Sequence, residues 1–209
     1  RPRMAVPSRR NGLMDDDDVE EGNALFEEEG LLDDLSDAPP HLRDLSVAIH
    51  AGDVDALRIA LDSLDGSIDE PVEDGDTALH LACLYGHIPC VLGASLEAKD
   101  EDGAIPLHDA CAGGFTDLVQ LLINAANNTE TLKSMLEMVE AEGDTPLHHA
   151  ARGEHVDVVR LLLAFGASPT KTNSYGKMPS ELADPGTEAR RILDAAASSM
   201  TIGVNLEEF

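Results

Sequence analysis

The chain has 209 residues, with 41 acidic side chains against 14 basic ones and a formal net charge of −27. That balance argues against nucleic acid and anionic membrane as partners, because phosphate surfaces are held by clustered Lys and Arg. It is compatible with a basic protein partner, although much of the charge can serve only solubility. The chain has no Trp, two Tyr and four Phe, which argues against an enzyme with an aromatic-lined pocket. Three cysteines form no paired framework, and the expected setting is a reducing compartment, cytoplasmic or nuclear. No apolar run approaches the roughly 20 residues of a membrane span, and no secretory h-region is visible. Because the chain opens on Arg1, the natural start is expected upstream or at Met4.

Residues 1–40 read as a separate segment. Arg1, Arg3, Arg9 and Arg10 give way to Asp15–Asp18 and a run of further acids that ends at Pro39-Pro40, a composition expected to stay disordered. Leu25, Phe26, Leu31, Leu32 and Leu35 are interleaved with those acids. Two readings fit: an acidic solubilising tail that folds its apolar residues onto the next unit, or an amphipathic activation segment. Further along, one phrase recurs. It is Gly-Asp-Thr-Ala-Leu-His-Leu-Ala-Cys at 75–83, Gly-Ala-Ile-Pro-Leu-His-Asp-Ala-Cys at 103–111 and Gly-Asp-Thr-Pro-Leu-His-His-Ala-Ala at 143–151. Thr145 before Pro146 is a helix-start signal, a hydroxyl acceptor followed by a residue whose missing N–H is no loss in the first turn. With Thr77, Ile105, Thr145 and Met178 equivalent, Gly75, Gly103, Gly143 and Gly176 lie two residues before, and Gly86 and Gly114 nine after. Leu121-Leu122-Ile123 and Leu161-Leu162-Leu163 begin sixteen after. This pattern resembles the ankyrin repeat, with its Thr-Pro-Leu-His-x-Ala core and period of about 33. The resemblance runs from about Leu42 to Met200 and implies an all-α solenoid of stacked helix-turn-helix units joined by short hairpin-like loops.

The domain reading is therefore an acidic segment at 1–40, an ankyrin repeat domain at 41–200 and a tail at 201–209. The repeats fall at about 42–72, 73–100, 101–140, 141–173 and 174–200. In the first, Leu45–Ile49 and Asp55–Leu61 supply two helices, with the consensus worn because a terminal unit has one face without a neighbour. The second is short: Thr77 to Ile105 is 28 residues, so its second helix is expected to be a stub. The third is long, with 40 residues from Ile105 to Thr145. Its insert at Asn124–Met138 carries a turn and N-cap at Asn127–Glu130, then Leu132, Met135, Leu136 and Val139 at helical spacing. Those residues either pack down or form a contact for another molecule. The fourth repeat pairs Thr145–Arg152 with Val156–Leu163, its turn glycine displaced by one at Gly153-Glu154. The fifth keeps the first-helix frame at Met178–Ala183 and adds a second helix over Thr187–Ala197.

His80, His108 and His148 share one slot, about 10 Å apart along a stack of helix pairs, too far to converge on a zinc ion held at about 2.1 Å. The resemblance implies that they belong to a hydrogen-bond network tying neighbouring repeats. No metal site, no cofactor and no catalytic residue is expected: the chain lacks Gly-x-Ser-x-Gly, a phosphate loop and a recognisable acid pair. Cys83 and Cys111 sit in the small-residue slot of the first helix. What the resemblance implies for function is protein binding, by a monomer, through a concave face of loop tips and first helices. Those positions are Glu73, Asp74 and Asp76; Glu101 and Asp102; Glu142 and Asp144; Ser174, Tyr175 and Lys177; with Leu84, Tyr85, Ala112 and Arg152 on the helices. The carboxylates point to a partner protein with a basic or unstructured segment and an apolar anchor near Tyr85; solvated tips alone are the plainer reading. The alternative function is a transcriptional co-regulator whose residues 15–37 recruit machinery while the repeats dock it.

Overall fold

The computed structural model describes residues 40–64, 66–72, 75–86, 94–126 and 128–204. The acidic segment, Glu73 and Asp74, most of the expected stub after Gly86 and the end of the tail lie outside the described residues. Those described carry nine α-helices, numbered in chain order. They are α1 (Arg43–Ala51), α2 (Val54–Asp62), α3 (Ala78–Tyr85), α4 (Pro106–Gly113), α5 (Thr116–Ala125), α6 (Thr129–Glu137), α7 (Pro146–Arg152), α8 (Val156–Ala164) and α9 (Glu188–Val204). The described elements are helical, and the first helices stack in order, α1 on α3, α3 on α4 and α4 on α7, with the second helices behind them.

Three of the first helices, α3, α4 and α7, start in the same way. The Thr77 amide donates to Nδ1 of His80 at 3.2 Å, the Ile105 amide to His108 at 3.1 Å and the Thr145 amide to His148 at 3.1 Å. The imidazole three residues into the helix thus satisfies a donor that the helix itself leaves orphaned. The ends are equally regular. Gly86 and Gly114 close α3 and α4 at φ 76° and 72°, a left-handed backbone that glycine adopts without strain. In the fourth repeat Glu154 takes that conformation at φ 57°, while Gly153 lies at φ −81°. The glycine displaced in the sequence therefore leaves a non-glycine residue in the left-handed turn. Glu154 is held there by its carboxylate, which accepts the Asp184 amide at 2.6 Å.

The core is two joined clusters, and α3 is shared between them. Ala78, Leu81 and Ala82 pack upstream with Leu42, Leu45, Ile49 and Leu57, while Leu79 and Cys83 pack downstream with Ile105, Leu107 and the later units. That is why residues 78–83 are buried all round. The insert of the third repeat forms a helix of its own. Asn128 caps α6 by accepting from the Thr131 amide at 2.8 Å, and Met135 and Leu136 are buried in the downstream core. Of the two readings of that insert, packing is the one observed. The fifth repeat is thinner than expected: its first-helix frame survives only as a 3-10 turn at Pro179–Glu181. There Glu181 replaces the histidine, its carboxylate accepting the Met178 amide at 2.8 Å. Its second helix, α9, is longer than expected and runs past residue 200 into the expected tail, to Val204.

Candidate protein-binding face

The loops ahead of the first helices repeat one hairpin. Its fourth residue back from the turn's end donates across it, Asp100 N to Ala104 O at 3.0 Å, Glu140 N to Asp144 O at 3.2 Å and Asn173 N to Lys177 O at 3.0 Å. The same residue's side chain accepts in return: Ala104 N to Asp100 at 2.7 Å, Asp144 N to Glu140 at 3.0 Å and Lys177 N to Asn173 at 3.0 Å. Neighbouring loops are zipped together by Ala141 N to Asp102 O at 2.8 Å and Ser174 N to Glu142 O at 2.9 Å. The approach is close enough that a Cβ on Gly143 would lie 2.6 Å from the Ser174 amide nitrogen. A glycine is required there for packing as well as for its φ of 79°.

Behind the loops the histidines link the units. His80 Nε2 lies 3.1 Å from the Ala104 carbonyl, His108 Nε2 3.3 Å from Asp144 O and His148 Nε2 3.0 Å from Lys177 O. Since Nδ1 accepts from the helix start, Nε2 carries the proton and donates to the next loop, which sets one neutral tautomer. Burial holds His108 neutral, lowering its pKa to about 4 against the bonds that oppose the shift, and burial likewise lowers His148. Repeat one has Ser46, fully buried, in this slot. Cys83 and Cys111 are free and buried, and burial pushes the Cys111 thiol well up, so it is a packing group and a poor nucleophile.

Of the residues expected on the face, Glu101, Asp102, Glu142, Arg152, Tyr175 and Lys177 are exposed, and Asp76 and Leu84 are half-buried. Tyr85 is 43% exposed and Tyr175 68%. The Tyr85 ring lies 5.1 Å from that of His50. Arg152 pairs with Asp144 and stands 3.9 Å from Glu142, while Lys177 stands 3.7 Å from Glu181. Asp144 differs from expectation. It was placed on a solvated tip, but its side chain is 0% exposed and is bonded to Asn173 Nδ2 at 2.7 Å and to Arg152. A carboxylate so enclosed braces the hairpin and cannot meet a partner. Asn173, Glu140 and Asp100 were not singled out from the sequence. Aligning the loops would have found them, because three of the four put a side-chain acceptor in the same slot, the loop ahead of α3 having Val72 there.

Sequence reading found no convergent ligand set, whereas the fold brings two trios of donor atoms within 4.8 Å of one another: Asp76, His80 and Asp109, and Glu140, Asp144 and His149. In each set some of these atoms are already engaged in structure. Both ring nitrogens of His80 are bonded within the protein, the Glu140 carboxylate accepts from Glu142 and Asp144 amides, and Asp144 holds Asn173 and Arg152.

Two family models match in tandem, ankyrin repeats (many copies) over residues 45–92 and ankyrin repeats (3 copies) over 92–173. The chain belongs to the ankyrin repeat family. Among ankyrin-type relatives, it is 34% identical over 99 residues to protein phosphatase 1 regulatory subunit 27 of Mus musculus, covering 42% of this chain and 64% of that protein. The Homo sapiens protein of that name is 42% identical over 55 residues, 24% of this chain and 36% of the relative. Rabankyrin-5 of Mus musculus is 37% identical over 68 residues, 30% of this chain and 6% of that much longer protein. The chain thus spans less than two thirds of these relatives.

Proposed function

We propose that this ankyrin repeat protein is an adaptor that works by binding rather than by chemistry, holding a partner protein on the face formed by its loop tips and first helices. Repeat proteins of this kind offer an extended rigid surface, and the name of one relative, a phosphatase regulatory subunit, is that of a protein acting on another. The observation that carries the reading is the row of exposed carboxylates Glu101, Asp102 and Glu142 on hairpins bonded to one another. Their backbones are held in place before binding, so little ordering entropy is lost on association. A basic or unstructured partner segment matches that charge. The buried thiols support work in a reducing compartment, cytoplasm or nucleus, which imaging of a tagged chain would check.

The test is affinity capture from cell extract with the full chain and with Asp102→Lys combined with Glu142→Lys. Both sites are exposed, so the fold should survive, and the proposal expects the charge-reversed chain to lose the partners that the parent retains. An identical set of partners from both chains would end the acidic-face reading.

A further inference from the structure

The first repeat begins the described stack, and its outer face is apolar where the end of a repeat array is ordinarily polar. Val47, one residue after Ser46, stands where Leu81 follows His80. Leu81 is 1% exposed because it packs back onto the first repeat, whereas Val47, with no described helix ahead of it, is 46% exposed. The second helix repeats the pattern. Ile59 lies seven residues after the left-handed Gly52, as Leu121 does after Gly114 and Leu161 after Glu154. Arg160 reaches forward to Glu188 of α9 at 2.6 Å. Leu161, a further rotation of about 100° round the helix, therefore lies on the side of the preceding repeat. Leu121 and Leu161 pack against the core, but Ile59 is 67% exposed. Val47 and Ile59 thus share one end of the molecule on adjacent helices, and none of the described helices stacks on that end.

We propose that residues 25–35 of this same chain dock on that end, laying Leu31, Leu32 and Leu35 over Val47 and Ile59 and closing the stack. This internal cap is independent of the adaptor reading. The segment lies outside the described residues, and three features select it as the occupant. The first is reach. Leu42 is fully buried and Pro40 exposed, so the chain leaves the core at the start of α1. The five residues from Leu35 to Pro40 span up to about 17 Å, more than the roughly 13.5 Å length of the nine-residue α1. The second is tethering: a segment on so short a linker is present at an effective concentration of about millimolar, which a separate molecule seldom matches. The third is charge. Arg43 and Asp44, both exposed at the start of α1, offset one another, so the end selects apolar side chains rather than a sign of charge. A second copy would bring a further net charge of −27 against the first, which opposes self-association. Once the leucines are covered, Glu27–Glu29, Asp33 and Asp34 remain in water, and the segment gives the stack the polar outer face of a capping repeat.

Hydrogen exchange of the full chain, read by mass spectrometry, tests the docking. The proposal expects the amides of residues 25–35 to exchange about tenfold or more slower than a free chain. Val47→Asp with Ile59→Asp should abolish that protection while α4 and α7 keep theirs, since both positions are exposed. Leu31→Ser with Leu32→Ser and Leu35→Ser, which alters no residue of the repeats, gives the reciprocal reading. In that variant α1 and α2 should exchange faster than in the parent, with α4 and α7 unchanged. If the paired aspartates unfold α1 and α2, the serine variant decides alone. Free-chain exchange of residues 25–35 in the parent would overturn the cap, as would exchange of α1 and α2 that the serine variant leaves unaltered. Sedimentation of the parent as a dimer that Val47→Asp with Ile59→Asp converts to a monomer would also overturn it, because the occupant would then be a second copy.

Discussion

His108 illustrates how one side chain serves three levels of the structure. Its Nδ1 caps α4, its Nε2 donates to the Asp144 carbonyl in the next loop, and its ring lies edge-on to that of His149 at 5.5 Å. All of this requires the neutral imidazole, because a protonated Nδ1 cannot accept the Ile105 amide. The folded pKa is about 4, against an unfolded value near 6.5. Above pH 6.5 neither state is protonated there and the contribution to stability is complete. As pH falls from about 6.5 to about 4 the unfolded chain takes up the proton first, and stability is lost on the order of 3 kcal/mol across that window. His148 acts in the same direction. Urea melts at pH 7.5 and pH 4.5 should show that loss, and His108→Gln should reduce it. A parent whose urea midpoint is the same at both pH values would contradict the buried neutral assignment.

At the scale of elements, the insert of the third repeat became a helix because its pieces agree. Asn128 supplies the cap, and Leu132, Met135 and Leu136 recur on one face. What the pattern left open was whether that face meets the protein or something else. The answer lay in the stack, which brings α7 beside α6, and in two side-chain bonds that bind the insert to other repeats. Ser134 donates to Glu97 at 2.7 Å, and Lys171 donates to the Glu137 carbonyl at 2.6 Å. Met135→Ala should accordingly cost about 2–5 kcal/mol by leaving a cavity, whereas Lys133→Ala, exposed on the same helix, should lie within about 0.5 kcal/mol of zero. Denaturant melts of the two variants give the comparison, and equal small effects would mean that α6 is not packed as described.

Over the whole molecule, stability runs along the stack as a chain of neighbour interfaces. The links are unequal. In the second, third and fourth repeats a histidine reaches the following loop, whereas in the first repeat Ser46 stands in that slot and its bonds, to His50, stay within α1. Its cluster joins the rest through one face of α3. Native-state hydrogen exchange should therefore show α1 and α2 opening at lower free energy than α4 and α7. Uniform protection across these four helices would imply a single cooperative unit with no weak end.

The sequence alone carried the family, the order of helices and the identity of the histidine links, because these rest on short-range signals: a capping residue, a glycine at a left-handed turn, a period of apolar residues. It also marks Gly153-Glu154 as irregular, and Glu154 is the residue found in the left-handed turn. The fate of particular polar side chains was decided only by tertiary structure. Asp102 and Asp144 look alike in sequence, both acids in a loop ahead of a helix. One projects into water, and the other is enclosed by Asn173 and Arg152, residues 29 and 8 positions away in the chain. Burial is a property of what the stack lays over a residue, and no local pattern carries that information.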